Sequence, residues 1–339
     1  MYSINLAMRI VLIEFKNSMI NHIKSVILFI WLLLITTSCS KTAEDYYYSA
    51  LSESDFQKSM ELFNKAIELN PAYSDAYLGK GNKKATFYHN DYQGAIEDFS
   101  MAIDIDPNNV RAYYARANAK KVLGDYKDAL HDYDKAIEIG RRNNSRLLAD
   151  FYTDRGELKA EINDHKGAVE DFYEAKDKYD LSQFSQELNL YIDLGKSLAA
   201  LGEHKKAINY FTDNLIVRNS GNAYMYRALS RHELGHHSKA FQDINAAISL
   251  SPSFTFYYAR ADMKKDLQDY RGAIEDYTKG VNQETSRLGA FLDNTATAFH
   301  NRGVSNLKIG EKYKGCLDFS KAGELGYEEA YDSIDQYCR

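Results

Sequence analysis

A segment of about 34 residues recurs along most of this chain, and this repetition constrains the fold more than any other feature. Clear copies read NDYQGAIEDFSMAIDI (90–105), GDYKDALHDYDKAIEI (124–139) and QDYRGAIEDYTKGVNQ (268–283). The small residue after the turn recurs at intervals of 34, 39, 39, 33 and 33 residues, at Ala95, Ala129, Ala168, Ala207, Ala240 and Ala273. A unit this short cannot bury its own apolar face, so neighbouring copies must stack.

Each copy holds two runs whose apolar residues recur at helical spacing. Between the two runs stands Gly or Asn, a residue type that ends a helix in the left-handed conformation: Asn90, Gly124, Asn163, Gly202 and Gly235. Small residues recur where the paired helices must approach closely: Gly81, Ala117, Gly156, Gly195, Ala228, Ala261 and Gly303 on the first helix, and the alanine series on the second. These patterns predict a chain of helical hairpins.

The period and the two-helix unit resemble the tetratricopeptide repeat (TPR). The resemblance covers residues 42 to about 325 and implies an all-α fold, a right-handed superhelical α-solenoid of about eight helix-turn-helix units. The family pattern often has a large residue at position four of the first helix, where this chain has Tyr113, Tyr152, Tyr224 and Tyr257. We expect a solenoid over 39–326 and a capping helix over 327–339.

Residues 1–38 have the features of a signal segment rather than of the repeats. VILFIWLLLI (26–35) is as long as a signal-peptide core and too short to span a membrane. The step TTSC (36–39) resembles the lipobox of bacterial lipoproteins, although Thr36 stands where leucine is usual. That resemblance implies lipid on Cys39 and attachment to a membrane of the bacterial envelope, periplasmic or surface-facing. An uncleaved anchor and an ordinary secreted form are the alternatives. Residues 1–18 fit this segment poorly, so either its basic region is unusually long or translation starts at Met19, which gives the more typical signal.

A basic and an acidic column run through the repeats together. In most units the seventh residue of the first helix is basic, and in the same units the residue before the aromatic of the second helix is acidic. One unit loses both charges at once, with Leu194 at the basic position and Tyr210 at the acidic position. This joint loss predicts that the two side chains form a structural ion pair. The weaker interpretation is that the basic residues bind an anionic ligand. The predicted pairs are Arg116–Asp132, Arg155–Asp171, Arg227–Asp243, Arg260–Asp276 and Arg302–Asp318, with Lys80–Asp98 as a lysine version.

No motif in the chain predicts catalysis. His232-Glu233-Leu234-Gly235-His236 matches the H-E-x-x-H zinc motif, but Gly235 is the expected turn and the motif needs one continuous helix. With His237, these histidines could provide at most an incidental metal contact. We therefore expect no catalytic residues, no metal site, no cofactor and no small-molecule substrate, and the net charge of -6 disfavours nucleic acid.

Cys316 lies on the second helix of the last repeat and Cys338 at the end of the capping helix. An antiparallel hairpin could bring them together as a disulfide, and two free thiols remain the alternative.

In the family, partner contacts come mainly from positions 2, 5, 9 and 12 of the first helix, on the concave face. The positions that match here are Tyr114, Asn118, Lys121, Glu157, Lys196, Met225, Tyr258, Asp262 and Lys265. The resemblance implies a non-catalytic protein-interaction scaffold that binds a peptide or a partner helix of unknown identity. The alternative is a structural or regulatory subunit of an envelope enzyme complex with no ligand in this groove.

Overall fold

The computed structural model describes residues 19, 22–27, 41–86, 88–179, 184–288 and 293–339, and the regular secondary structure of these residues is α-helical. Cys39 and all but seven residues of the expected signal segment lie outside the described residues. Among the residues that are described, no helix is both long and apolar enough to cross a membrane.

Helical hairpins follow one another from residue 43 to residue 324. The described part of the first helix, α1, covers residues 22–27. The others are α2 (Ala43–Ser52), α3 (Phe56–Leu69), α4 (Ser74–Lys84), α5 (Tyr92–Ile105), α6 (Val110–Val122), α7 (Tyr126–Arg142), α8 (Leu148–Glu161), α9 (His165–Lys176), α10 (Phe184–Ala200), α11 (His204–Arg218), α12 (Gly221–Glu233), α13 (His237–Leu250), α14 (Phe254–Asp266), α15 (Tyr270–Leu288), α16 (Asp293–Lys308), α17 (Lys312–Glu324) and α18 (Glu329–Tyr337).

The chain divides into two compact units, Met1–Ile139 and Gly140–Arg339. In the first unit, α4 packs against α5, which in turn packs against α6 of the next hairpin. In the second unit, the same order holds for α10, α11 and α12, and again for α14, α15 and α16. Within each unit these hairpins therefore bury their apolar faces against their neighbours, as expected for an all-α solenoid.

The turns inside the hairpins are set by residues in the left-handed conformation. Asn90, Gly124, Asn163, Gly202 and Gly235 have φ values of 51°, 83°, 64°, 76° and 74°, which confirms the sequence prediction. The aspartate that follows the turn caps several second helices, because its carboxylate accepts the backbone N–H three residues later. The capped pairs are Asp91–Gly94, Asp164–Gly167 and Asp269–Gly272, at 2.9–3.0 Å.

The core is built where the sequence places small residues opposite large ones. Every alanine of the second-helix series is fully buried. A Cβ atom built on Gly195 would lie 2.4 Å from the Phe211 ring, and one on Gly156 would lie 2.7 Å from the Phe172 ring. No side chain fits at these glycines, so the aromatic ring of the second helix packs directly on the backbone of the first. The predicted close approach of the paired helices is confirmed.

The C-terminal helix α18 packs on α17, and a disulfide bond joins Cys316 of α17 to Cys338 after α18. The hydroxyl of Tyr331 donates to the carbonyl of Gly323 at 3.1 Å. Ala330 is fully buried in the cluster that includes Phe299 and Ala322, so α18 covers the apolar end of the last hairpin.

Gln268 holds φ of +64° at the turn before α15, where the other repeats have Gly or Asn. An L-residue with a Cβ pays a steric cost in this region that glycine does not. We expect Gln268→Gly to raise the free energy of unfolding by about 0.5–1 kcal/mol. Equilibrium urea unfolding of the full-length chain, followed by circular dichroism, measures this change.

Gly235→Gln is the matched control for this substitution, because a Cβ on Gly235 would meet no atom within 4 Å and only backbone conformation is tested. It should lower the free energy of unfolding by a similar amount. A loss of stability in Gln268→Gly would show that the glutamine side chain stabilises the turn and would contradict the explanation from backbone strain.

Candidate functional site

The two charged columns meet inside the helical hairpins. In five units an arginine of the first helix grips an aspartate of the second through two parallel hydrogen bonds, from Nε and Nη2. The pairs and their Nη2–Oδ1 distances are Arg116–Asp132 (2.8 Å), Arg155–Asp171 (2.6 Å), Arg227–Asp243 (2.7 Å), Arg260–Asp276 (2.7 Å) and Arg302–Asp318 (2.6 Å). This fork geometry is the strong form of the arginine–carboxylate bond.

In four of these units the remaining arginine nitrogen, Nη1, reaches back to an earlier second helix. Arg116 Nη1 donates to the hydroxyl of Ser100 on α5 at 3.0 Å. The equivalent acceptors are Thr212 for Arg227, Asn245 for Arg260 and Thr278 for Arg302, at 2.6–3.1 Å. One guanidinium therefore closes its own hairpin and ties it to the preceding one. This link was not predicted from the sequence, although a polar residue recurs two positions after the acidic position of the second helix.

A second donor, four residues after the arginine on the same helix, also contacts each aspartate. Lys120 Nζ lies 2.8 Å from Asp132 Oδ2, and Arg231 Nη1 lies 2.6 Å from Asp243 Oδ2. Lys159, Lys264 and Asn306 hold the same place in the other units. In the hairpin of α4 and α5 the lysine at this second position makes the closer contact with the aspartate. Lys84 Nζ lies 2.7 Å from Asp98 Oδ2, whereas Lys80 Nζ lies 3.7 Å from Asp98 Oδ1.

The buried carboxylate of Asp276 shows the balance of forces in these pairs. Burial, the largest influence, raises its pKa, but the hydrogen bonds from Arg260 and Lys264 outweigh burial and leave the pKa below its ordinary value. A carboxyl group whose pKa falls on folding contributes stability above its unfolded pKa of about 3.9, and this contribution is lost as the pH drops through the folded value. The pair therefore stabilises the hairpin at neutral pH.

One hairpin, α10 and α11, replaces the ion pair with apolar packing. Leu194 is fully buried at the arginine position. Tyr210 stands at the aspartate position, with its ring centroid 5.7 Å from that of Tyr191. The two columns are lost together because either charge alone would be buried without a partner. The pairs thus belong to the packing of the repeats.

In the unit Met1–Ile139, the expected partner-binding residues lie on α6 and are half-buried. The ring of Tyr114 lies 6.1 Å from the ring of Tyr133 on α7. The side-chain oxygen of Asn118 accepts a hydrogen bond from the Tyr133 hydroxyl, so part of Asn118 serves the hairpin itself. Lys121 follows one turn later on the same face.

Two of the expected contact residues in the unit Gly140–Arg339, Met225 and Tyr258, are buried. Met225 is 9% exposed and packs in a cluster with Phe256 and Met263 of the next first helix. Tyr258 is 7% exposed, and its hydroxyl donates to the buried carboxylate of Glu284 at 2.7 Å. Both side chains therefore contribute to the packing of the repeats.

The remaining expected residues of this unit lie at the surface or partly so. Lys196 has a side chain that is 47% exposed and lies 3.1 Å from Asp193. Glu157 is half-buried on α8. Asp262 accepts hydrogen bonds from Tyr277 and Asn301, and Lys265 Nζ lies 3.6 Å from its carboxylate.

An acidic row on α8 was not identified from the sequence as a feature of this face. Asp150, Asp154 and Glu157 follow one another at spacings of four and three residues, and each raises the pKa of the nearby Tyr179, for which burial is the main cause. Burial, followed by the charge of Asp154, also raises the pKa of Asp150. The helical spacing of these acids was the signal that could have found them.

The H-E-x-x-H sequence does not form a zinc-protease site. Gly235 has φ of +74° and separates α12 from α13, so His232 and His236 do not share one helix face. Across the described part of the chain, no group of three or more His, Cys, Asp or Glu side chains is arranged to hold a metal ion.

Family models match the repeats at three places along the chain. A TPR-repeat model matches residues 84–121, and two tetratricopeptide-repeat models match residues 110–143 and 192–253. Residues 84–143 and 192–253 therefore contain tetratricopeptide repeats. In general, repeats of this kind stack into extended surfaces that bind other proteins.

One curated relative matches part of the sequence, and two solved structures share the fold. Over 43 residues, 12% of this chain, the sequence is 49% identical to an uncharacterized protein of Methanocaldococcus jannaschii, and the match spans 50% of that protein. The structure of YrrB, described as a TPR protein with an unusual peptide-binding site, matches 58% of this chain and 96% of its own (21% identity, TM-score 0.50). The Cut9–Hcn1 assembly of the APC/C matches 87% of this chain and 54% of its own (14% identity, TM-score 0.57).

The buried pair of Arg116 and Asp132 should show strong energetic coupling. We expect Asp132→Leu to lower the free energy of unfolding by about 3–5 kcal/mol, because it strands the charges of Arg116 and Lys120. Arg116→Leu should cost less, since Lys120 still neutralises Asp132. The double variant should lose clearly less than the sum of the two single losses. Urea unfolding of the four chains measures the cycle.

The exposed pair Lys314–Glu311, at 3.2 Å, is the control for this cycle. Its coupling should stay below about 1 kcal/mol. Additive losses for Arg116 and Asp132, with no coupling beyond that of the control pair, would show that the charged columns do not act as pairs.

Proposed function

We propose that this chain is a non-catalytic interaction scaffold of the bacterial envelope that binds an extended peptide or a partner helix along the face of its first helices. The observation that carries the proposal is the state of the first-helix side chains within each unit. In the unit Met1–Ile139, Tyr114 and Lys121 are half-buried on α6. In the unit Gly140–Arg339, Glu157 is half-buried on α8 and Lys196 is exposed on α10, while the alanines of the second helices are fully buried in the core.

The chemistry of this face suits a peptide ligand. Aromatic rings provide rigid contact area, and charged groups recognise side chains or the polar backbone of an extended segment. Lys196 Nζ lies 5.8 Å from the centre of the Tyr226 ring and close to Asp193, so its ammonium group is held on the surface between two neighbouring first helices. The peptide-binding site named for the solved YrrB structure supports the same use of a TPR fold.

The envelope location rests on residues 26–39. A short apolar core, three small polar residues and Cys39 follow one another as in bacterial lipoprotein signals. In this proposal a signal peptidase cuts before Cys39, lipid is attached to that cysteine, and the repeats work next to a membrane. The side of the envelope that they face is left open by this pattern.

Partner capture tests the binding face. Full-length protein and a variant with Tyr114, Lys121, Glu157 and Lys196 changed to Ala are cross-linked in cells and purified. We expect specific partners with the wild type and their loss with the variant, because the variant removes the side chains that contact the ligand. Circular dichroism verifies that the variant is folded.

A control variant carries Lys166→Ala and Lys239→Ala, exposed positions on the second helices α9 and α13. It should capture the same partners as the wild type. Equal capture by all three proteins would contradict binding on the first-helix face and would favour a structural subunit that contacts its complex elsewhere.

Cys39→Ala tests the membrane anchor. We expect the wild type to incorporate a labelled fatty acid and to sediment with membranes, and the variant to do neither, because several acyl chains on one cysteine hold a protein firmly. Cys316→Ser serves as the cysteine control and should keep the label. Unchanged labelling and sedimentation in Cys39→Ala would show that the anchor is elsewhere.

A further inference from the structure

Two histidine rings face each other across the turn between α12 and α13. The turn is fixed by backbone hydrogen bonds from Gly235 N–H to the His232 carbonyl and from His236 N–H to the Arg231 carbonyl, both 2.8 Å long. His232 is the second-last residue of α12 and His237 is the first residue of α13, and their Nδ1 atoms lie 3.1 Å apart. The ring centroids are 4.8 Å apart with 59° between the ring planes.

This spacing is close to what a shared metal ion requires. Two imidazole nitrogens bound to tetrahedral zinc, each about 2.0–2.1 Å from the ion, lie roughly 3.3 Å apart. Without metal, one ring must carry a proton on Nδ1 and donate it to the other, because two lone pairs cannot approach so closely. The rings therefore need to separate by only a few tenths of an ångström to admit an ion.

A carboxylate stands behind the first ring. Asp266 Oδ2, at the end of α14 in the next repeat, lies 3.5 Å from His232 Nε2. This position favours the tautomer with the proton on Nε2, which leaves the Nδ1 lone pair of His232 directed at His237. Histidines that bind metals generally donate their other N–H to a carboxylate or carbonyl in this way.

We propose that His232 and His237 bind a divalent transition-metal ion of the zinc type, with Asp266 orienting the His232 ring and water completing the coordination. Imidazole nitrogen selects zinc, nickel or copper over magnesium or calcium. Binding moves the Nδ1 proton of the metal-free pair to the Nε2 atom of His237, so both rings stay neutral. The ion joins the ends of α12 and α13 and, through Asp266, couples this turn to the following repeat.

Zinc titration of the untagged full-length chain tests the site. Isothermal calorimetry should show one zinc ion bound per chain, and zinc should raise the temperature of unfolding because the ion binds only the folded turn. Asp266→Asn should weaken binding by about 10–100-fold. Magnesium should give no binding signal.

Two variants remove the ligands separately. His237→Gln and His232→Gln should each abolish zinc binding, and the half-buried His237 is the safer change because the His232 side chain is only 9% exposed. His131→Gln, an exposed histidine on α7, is the control and should bind zinc like the wild type. No zinc binding by the wild type, or unchanged binding by folded His237→Gln, would overturn the proposal.

Discussion

A buried fork between arginine and aspartate determines how most hairpins of this chain are closed and joined. Arg116, for example, holds Asp132 of its own hairpin through Nε and Nη2 and Ser100 of the preceding hairpin through Nη1. Apolar stacking supplies the larger favourable energy, but it has little direction. The planar guanidinium adds direction, because its donors fit only one arrangement of the three helices around it.

The ion pair also explains how the repeats vary. Desolvation makes a lone buried charge costly, so a hairpin keeps both partners or loses both. Leu194 and Tyr210 show the second solution, with Leu194 fully buried and Tyr210 packed beside Tyr191. The apolar version lies among charged ones, so the stacking of hairpins tolerates either chemistry when the pair changes as a whole.

Packing between the helices determines which side chains of the first helices remain at the surface. In two repeats the residue at position nine of the first helix accepts a hydrogen bond from the hydroxyl of a second-helix tyrosine. Asn118 accepts from Tyr133, and Asp262 accepts from Tyr277. Where the second helix carries phenylalanine instead, as at Phe172 and Phe211, the same position carries the half-buried Glu157 or the exposed Lys196. One face of the first helices therefore serves the core in some repeats and is presented to solvent in others.

The helical hairpins, their left-handed turns and the identity of the charged partners could all be predicted from the sequence, because each depends on residue type at a fixed local spacing. The contact face that the phase of the first helix predicts includes Met225 and Tyr258, which are buried in the structure. Tyr258 is buried because the long helix α15 brings Gly280 against its ring and Glu284 to its hydroxyl. Only the tertiary structure could decide which side chains of one helical face a neighbouring repeat covers, because burial depends on elements far away in the sequence. The approach of His232 to His237 was likewise decided by the folded turn, since spacing along the chain does not fix the distance between two rings.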